Sequence, residues 1–233
     1  MSRKNRKSIT VAKERSLLTH QNPKSPIAEQ YKTIRTNIQF AAIEEDMRSI
    51  MISSSGPMEG KSTTIANLGV VMAQQGKKVL IVDADLRKPT VHYTFRTMNT
   101  RGITNVLTRQ AELKEVTYET EVPNLEVLTS GPIPPNPSEL LGSKAMDKLI
   151  EEALTIYDLI LFDCPPILAV ADSQIIANKV QGTVLVVSSE TTEKEAAVKA
   201  KERLESASSK LLGVVLNRKK MKEGSYYYYY AQK

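Results

Sequence analysis

The chain has 233 residues, of which 41% are hydrophobic, and a formal net charge of +6. This length is enough for one sizeable core, and we expect a single α/β domain. No apolar run approaches the ~20 residues of a membrane span, and the basic start lacks the apolar centre of a signal peptide. With one cysteine and no obvious spacing of metal ligands, we expect a cytoplasmic protein without disulfides.

Positive charge is concentrated at the two ends of the chain. Residues 1–15 hold six Lys or Arg and one Glu, and residues 218–233 hold five and one. Such ends either contact nucleic acid, anionic lipid or an acidic partner, or remain solvated; we expect no specific nucleic-acid partner. We divide the chain into a flexible basic tail over 1–21, a folded domain over 22–217 and a flexible basic, tyrosine-rich tail over 218–233.

The first predicted helix begins after Ser25, a good N-cap, with Pro26 in the first turn. Its apolar residues recur at helical spacing and predict one buried stripe: Ile27, Tyr31, Ile34 and Ile38.

Three charged residues lie three apart on other faces of this helix: Glu29, Lys32 and Arg35. An acid and two bases at this spacing either form weak ion pairs along a solvated helix or reach a second copy of the chain. Spacing alone favours the solvated face.

Residues 51–64, MISSSGPMEGKSTT, predict a strand, a glycine-containing turn and the start of a helix. Such a turn aims backbone N–H groups at phosphate oxygens, and the helix adds its positive end. The strict motif has glycine where Ser55 stands, a small departure because Gly56 follows. The predicted nucleotide-binding residues are Ser55, Gly56, Pro57, Met58, Glu59, Gly60, Lys61, Ser62 and Thr63. The motif places Lys61 on the β- and γ-phosphates and the Ser62 hydroxyl on Mg²⁺.

Two buried strands are each followed by carboxylates. Val79–Val82 leads to Asp83 and Asp85, and Leu159–Phe162 leads to Asp163. Continuous apolar runs are typical of parallel strands covered on both faces. Ligands bind where the carboxyl ends of such strands meet, and carboxylates there suit Mg²⁺ coordination and proton acceptance.

For several residues near these strands the sequence is compatible with two different roles. Arg87 and Lys88 either hold phosphate or a neighbouring subunit, or lie in a solvated turn. Asp172 either caps a helix or faces the site. Cys164 is most simply a small buried side chain.

A second helix start is predicted around Asn136 as N-cap, with Pro137 at the first helical position and Glu139 as the capping-box acid. Further along, residues 183–189 and 211–217 predict strands, and Lys194–Ala207 predicts a helix. Asn217, at the end of the last strand, either reads an adenine edge or is a turn residue.

The chain ends with five consecutive tyrosines: Tyr226, Tyr227, Tyr228, Tyr229 and Tyr230. Five aromatic residues in a row match neither an amphipathic helix nor a half-buried strand, so we expect an accessible tail. This concentration of phenol hydroxyls predicts a substrate for modification; a docking peptide or a base-stacking segment is the alternative.

Together, ISSSGPMEGKST, VLIVDADLR and LILFDCPP resemble the bacterial tyrosine kinases, which are built on the P-loop fold. The resemblance extends over nearly all of residues 22–230. It implies an ATP- and Mg²⁺-dependent kinase with a mostly parallel sheet flanked by helices on both faces. It further implies Lys61 and Asp83 as catalytic residues, and Ser62, Asp85 and Asp163 on the metal.

The family also carries a helix with the motif Glu-x-x-Arg-x-x-Arg, which assembles subunits into a ring. The corresponding residues of this sequence are Glu29, Lys32 and Arg35. Because Lys32 replaces the first arginine and lacks its bidentate fork, we expect a weaker ring.

The resemblance also implies partners and a role. They are a separate transmembrane activator that recruits the kinase to the inner face of the membrane, protein substrates with tyrosine and a tyrosine phosphatase. The implied role is regulation of capsular or extracellular polysaccharide synthesis and export.

Two alternatives remain. One is a partitioning or cell-division ATPase, although such proteins usually carry a lysine where Gly56 stands here. The other is a protein that senses ATP and transfers nothing.

Overall fold

A seven-stranded sheet forms the centre of the molecule in this computed structural model, which describes residues 17–41 and 46–220. The strands are β1 (Ser49–Ser54), β2 (Val79–Asp83), β3 (Thr117–Glu119), β4 (Leu125–Leu128), β5 (Leu159–Asp163), β6 (Gly182–Ser188) and β7 (Lys210–Asn217). The helices within the described residues are α1 (Leu18–Gln21), α2 (Pro26–Ala41), α3 (Lys61–Ala73), α4 (Val91–Phe95), α5 (Ile103–Leu107), α6 (Leu113–Val116), α7 (Pro137–Gly142), α8 (Lys144–Ile156), α9 (Asp172–Ala177) and α10 (Lys194–Glu205).

The strand order is β3-β4-β2-β5-β1-β6-β7. Neighbouring strands are parallel, except that β3 runs antiparallel to β4. The carboxyl ends of β1, β2 and β5 therefore meet at one edge of the sheet, since β5 lies between the other two. The predicted α/β fold with a mostly parallel sheet is confirmed.

Helices cover both faces of the sheet. Alternate residues of β2 enter different apolar clusters, as the two-residue period of a strand requires. Leu80 and Val82 belong to the cluster that includes residues of α8, whereas Val79 and Ile81 belong to the cluster that includes residues of α3. A strand covered on both faces must be apolar throughout, which is why the sequence VLIV predicted it correctly.

The helix after the phosphate loop, α3, is almost entirely buried: 11 of its 13 residues are buried. Gly69 explains how closely it packs, because a Cβ there would lie 2.7 Å from the Ile81 Cδ1 atom of β2. On the far side, α1 packs on α3. Thr19 is buried, and its backbone N–H and its hydroxyl each donate to the Asn67 Oδ1 atom at 2.9 Å. Residues 18–21, which we assigned to the tail, therefore pack with the domain.

The first predicted helix start agrees with the structure, but its apolar stripe does not agree throughout. Helix α2 begins at Pro26, and the Ala28 N–H donates to Ser25 Oγ at 3.2 Å. Ile38 is buried, yet Ile27 is 45% exposed. Ala28, one position further on, is the residue buried in the first turn. The buried face of α2 therefore begins one residue later than the predicted stripe.

The capping-box prediction at α7 is also corrected. Asn136 is the N-cap and Pro137 follows it, as expected. However, the Asn136 side-chain amide donates to the Glu139 carboxylate at 2.8 Å and makes no side-chain cap bond. The side chains thus pair with each other, because the asparagine nitrogen faces the carboxylate.

Across the two described ranges, no helix is both long and apolar enough to cross a bilayer.

Candidate active site

The predicted phosphate loop lies between the end of β1 and the start of α3. Gly60 has φ +98°, and a Cβ there would lie 2.1 Å from the Asn217 Nδ2 atom, so only glycine fits. Met58 also has a left-handed φ of 60°. Ser55, at the position where the strict motif has glycine, has no positive φ; its hydroxyl donates to the Glu59 carboxylate at 3.2 Å. Serine is therefore compatible with this loop.

Lys61, the first residue of α3, lies among the carboxylates at the carboxyl ends of the central strands. Its Nζ atom lies 3.1 Å from Asp163 Oδ1 at the end of β5 and 3.2 Å from Asp85 Oδ2 just after β2. Burial, the largest single influence, acts to lower the pKa of Lys61. The negative charges of Asp163, Asp85 and Asp83 together outweigh it and raise this pKa above its ordinary value. The ammonium therefore stays charged and compensates buried carboxylates.

Asp83 occupies the last position of β2, directly beside Asp163 in the register of the sheet. Its Oδ2 atom accepts the backbone N–H groups of Thr90 and Val91, at 2.8 and 2.9 Å. Burial first, and then the charge of Asp163, raise the pKa of Asp83 to about 7, although the two N–H groups and Lys61 act against this shift. Oδ2 is thus engaged by the start of α4, and Oδ1 accepts the Asp85 N–H at 3.3 Å.

The residues present fit a magnesium ion. Asp163 Oδ2 is buried and has no hydrogen-bond partner among the described residues, although an orphaned carboxylate oxygen is costly. Ser62 places its hydroxyl next to Lys61 Nζ, at 3.3 Å. Within the described part of the chain, no three His, Cys, Asp or Glu side chains form a ready-made metal cluster. Mg²⁺ does not require one, because it usually keeps several waters and takes one or two carboxylates plus phosphate oxygens.

Thr90 is a site residue that sequence reasoning missed. Its hydroxyl lies 3.1 Å from Ser62 Oγ, and its N–H binds Asp83. It therefore connects the predicted metal-binding hydroxyl with the predicted base. Its only signal in the sequence is a polar residue a few positions after a strand-end acid, which is a common pattern in turns.

Arg87 and Asp172 bind each other, a contact that none of the interpretations left open for them included. The Arg87 Nε and Nη2 atoms contact the two oxygens of Asp172 at 2.8 and 3.1 Å, and Ser138 Oγ donates to the same carboxylate at 2.6 Å. Burial acts to raise the pKa of Asp172, but the hydrogen bonds of Arg87 and Ser138 outweigh it and lower this pKa. Asp172 thus tethers Arg87 and α7 next to the site. Cys164 is buried, as predicted.

Asn217 lies against the phosphate loop. Its Nδ2 atom donates to the Glu59 carbonyl at 2.9 Å, and its Oδ1 atom accepts the Arg218 N–H at 2.9 Å. The Glu59 carboxylate is buried and also accepts the Thr192 hydroxyl. The side-chain amide therefore supports the loop in this structure, and adenine recognition by Asn217 stays a prediction.

The three residues predicted to assemble a ring, Glu29, Lys32 and Arg35, lie on α2. Lys32 pairs with Glu29 at 2.7 Å, as expected of a solvated helix face. Arg35 instead donates to the Val71 carbonyl of α3 at 2.9 Å. The five tyrosines, Tyr226–Tyr230, lie outside the described residues.

Comparisons with known proteins identify the family of the chain. The model of a family described as AAA domain matches residues 47–192. The chain is 56% identical over 215 residues to the tyrosine-protein kinase YwqD of Bacillus subtilis (strain 168), covering 92% of this chain and 90% of that one. It is 43% identical over 212 residues to the putative tyrosine-protein kinase CapB of Staphylococcus aureus, covering 89% and 93%.

A solved structure supports the same assignment. The crystal structure of the chimerical protein CapA2B2 superposes with a TM-score of 0.85 and 45% identity, covering 88% of this chain and 90% of the other. Since these matches extend over the phosphate loop and all three strand-end carboxylates, the chain belongs to the bacterial tyrosine kinases, with the AAA domain that its family model describes.

Proposed function

We propose that this protein uses MgATP to phosphorylate the tyrosines at positions 226–230 of another copy of itself. The observation that carries the proposal is the convergence of Lys61 with Asp85 and Asp163 at the mouth of the sheet, next to the phosphate loop. Phosphoryl transfer needs little covalent chemistry from the protein, and relies on positioning and on neutralising the charge of the transferred group. A cluster of this composition can do both.

Lys61 has a different partner in each state of the proposed cycle. Without nucleotide, its charge is balanced by Asp85 and Asp163. The β- and γ-phosphates compete with these carboxylates for the ammonium, because they carry more negative charge. Asp85, Asp163 and Ser62 would hold Mg²⁺, and the ion would neutralise charge on the phosphates.

Asp83 orients the incoming phenol. A phenol has a pKa of ~10, whereas burial and Asp163 raise the pKa of Asp83 only to about 7, so this carboxylate does not remove the proton fully before attack. The Thr90 and Val91 N–H groups hold one of its oxygens. Asp83 therefore serves as a hydrogen-bond acceptor that takes the proton as the bond from the phenol oxygen to the γ-phosphorus forms. The bond from that phosphorus to the bridging oxygen breaks, and ADP leaves.

Each transferred phosphate adds about −1.5 to −2 charges. Several phosphates within residues 226–230 repel each other, so phosphorylated tails leave the site and loosen the ring. We propose that Glu29, Lys32 and Arg35 assemble this ring. The Arg35 bond to Val71 and the Glu29–Lys32 pair must be exchanged for contacts to a neighbouring subunit.

The remaining parts of the proposal concern partners. A separate transmembrane activator brings the protein to the inner face of the membrane and stimulates it, and a tyrosine phosphatase reverses the modification. Through this cycle, and through other proteins phosphorylated on tyrosine, the kinase regulates synthesis and export of a capsular or extracellular polysaccharide.

Complementary variants test transfer between subunits. One variant carries Lys61→Met and an intact tail, and the other has an intact site and phenylalanine at positions 226–230. They are mixed at 20 °C with MgATP and a cytoplasmic fragment of a candidate activator, and phosphotyrosine is mapped by mass spectrometry. We expect label on residues 226–230 of the Lys61→Met chain only in the mixture. Label confined to other residues would show that the tail is not the acceptor.

A further inference from the structure

The residues that lead into the tyrosine-rich tail bind backbone carbonyls of the phosphate loop. Asn217 ends β7, and Arg218 follows it. Arg218 Nη2 donates to the Met58 carbonyl at 2.8 Å, and Asn217 Nδ2 donates to the Glu59 carbonyl at 2.9 Å. Two consecutive side chains thus bind two consecutive carbonyls of the loop.

Planarity of the peptide bond gives these contacts a consequence for phosphate binding. In a trans peptide the C=O and N–H groups point in opposite directions. The Met58 carbonyl shares its peptide with the Glu59 N–H, and the Glu59 carbonyl shares its peptide with the Gly60 N–H. Side chains that hold the two carbonyls on one side therefore direct the two N–H groups to the opposite side. Those N–H groups belong to the turn that is expected to bind phosphate.

Backbone strain indicates that these contacts are needed. Met58 and Arg218 both adopt left-handed conformations, with φ of 60° and 56°. Residues other than glycine persist in this region only when their surroundings hold them there. Here the Arg218 guanidinium holds the Met58 peptide, while Asn217 Oδ1 holds the Arg218 N–H at 2.9 Å.

We propose that Arg218 is a positioning residue for nucleotide binding, which acts through the Met58 carbonyl and ties the root of the tail to the phosphate loop. The proposal depends on the proposed function only for the ligand, a nucleoside triphosphate. The tyrosines begin eight residues after Arg218. Because coupling between two events is reciprocal, nucleotide binding and the conformation at the root of the tail influence each other.

The test measures binding of a fluorescent ATP analogue with Mg²⁺ by anisotropy, using the full chain. We expect Arg218→Ala to weaken binding about 5- to 20-fold, equally at low and high salt, since the lost contact orients a peptide. Arg218→Lys keeps one donor and should bind within about threefold of the parent. The matched control is Lys219→Ala, which removes the same charge from the next, exposed residue and should bind like the parent.

Three results would overturn the proposal: parent-like binding by Arg218→Ala, equal weakening by Lys219→Ala, or a loss that disappears at high salt. The last two would mean that Arg218 merely attracts the triphosphate by its charge. An unchanged melting temperature without nucleotide shows that Arg218→Ala is folded. If it is not, Arg218→Met, which keeps an aliphatic stem but has no donor for the Met58 carbonyl, should show the same loss of binding, and parent-like binding by it would overturn the proposal. In the kinase assay, KM for ATP should rise while kcat changes little. Binding is measured without phosphate transfer, so it remains readable if the proposed kinase activity fails.

Discussion

Replacing Lys61 by methionine should destabilise the nucleotide-free protein as well as abolish phosphate transfer. The Lys61 side chain is 12% exposed and lies between Asp163 and Asp85, at 3.1 and 3.2 Å. Removing one partner of a buried ion pair costs about 3–5 kcal/mol, because the remaining charge is left uncompensated. In a domain of this size 1 kcal/mol corresponds to roughly 2–4 °C, so the melting temperature at about pH 8 should fall by about 6–20 °C.

The loss should also depend on pH. Burial and Asp163 raise the pKa of Asp83 to about 7, compared with ~3.9 in an unfolded chain. A carboxyl group with a raised folded-state pKa contributes its full stability below the unfolded value, and this contribution is lost as pH rises through the folded pKa. Without Lys61 the pKa of Asp83 rises further. The variant should therefore go on losing stability above about pH 7, where the loss that Asp83 causes in the parent levels off.

Thermal unfolding followed by circular dichroism, without nucleotide and with or without Mg²⁺, measures both effects. Mg²⁺ should stabilise Lys61→Met more than the parent, because the cation replaces the missing ammonium. The control is Lys201→Met, whose partner Glu205 lies at 2.9 Å on an exposed helix face; it should change the melting temperature by less than about 2 °C. A Lys61→Met protein that melts within about 2 °C of the parent at pH 8, with the same pH dependence, would refute the reasoning.

Three further predictions concern neighbouring groups. Thr90→Val removes the hydroxyl beside Ser62 and should raise the Mg²⁺ concentration for half-maximal kinase activity about 3- to 10-fold. Thr90→Ser keeps the hydroxyl and should need the same Mg²⁺ concentration as the parent. Equal Mg²⁺ dependence of all three proteins would contradict this prediction. Arg87→Ala removes the contacts to Asp172 and should cost about 1 kcal/mol at pH 7, discounted for the exposure of the arginine. The pKa of Asp172 is lowered, so the stability difference between Arg87→Ala and the parent should be complete above the unfolded-state pKa of ~3.9 and should vanish as pH falls through the folded-state pKa. A melting-temperature difference between the two proteins that is as large at pH 3 as at pH 7 would argue against the pair. Gly60→Ala would place alanine at a left-handed φ, with its Cβ 2.1 Å from Asn217 Nδ2. Nucleotide binding, measured by anisotropy, should therefore weaken at least about tenfold. Parent-like affinity would mean that the turn tolerates a side chain.

Local patterns predicted most of the fold because they record burial on both faces of a strand. The apolar runs before Asp83 and Asp163 can be satisfied only inside a covered parallel sheet. Where one face is more exposed, the pattern is less informative. Ile27 fits the helical period, yet it lies at the surface because the first turn of α2 buries Ala28.

Side-chain partners far apart in sequence were not predictable. Arg87 and Asp172 are 85 residues apart, and either alone is compatible with a solvated turn or a helix cap. Their pairing depends on where the ends of different elements lie. The same is true of Thr90, whose importance arises only from its distance to Ser62.

The sequence by itself determined which groups are available: a phosphate-binding turn, a lysine at its helix, and carboxylates after two buried strands. These features depend on neighbours within a few residues, and so a linear pattern records them. Only the tertiary structure decided which charges compensate Lys61, and that Asn217 and Arg218 hold the turn. The order of strands in the sheet brings these residues together, and no local spacing encodes that order.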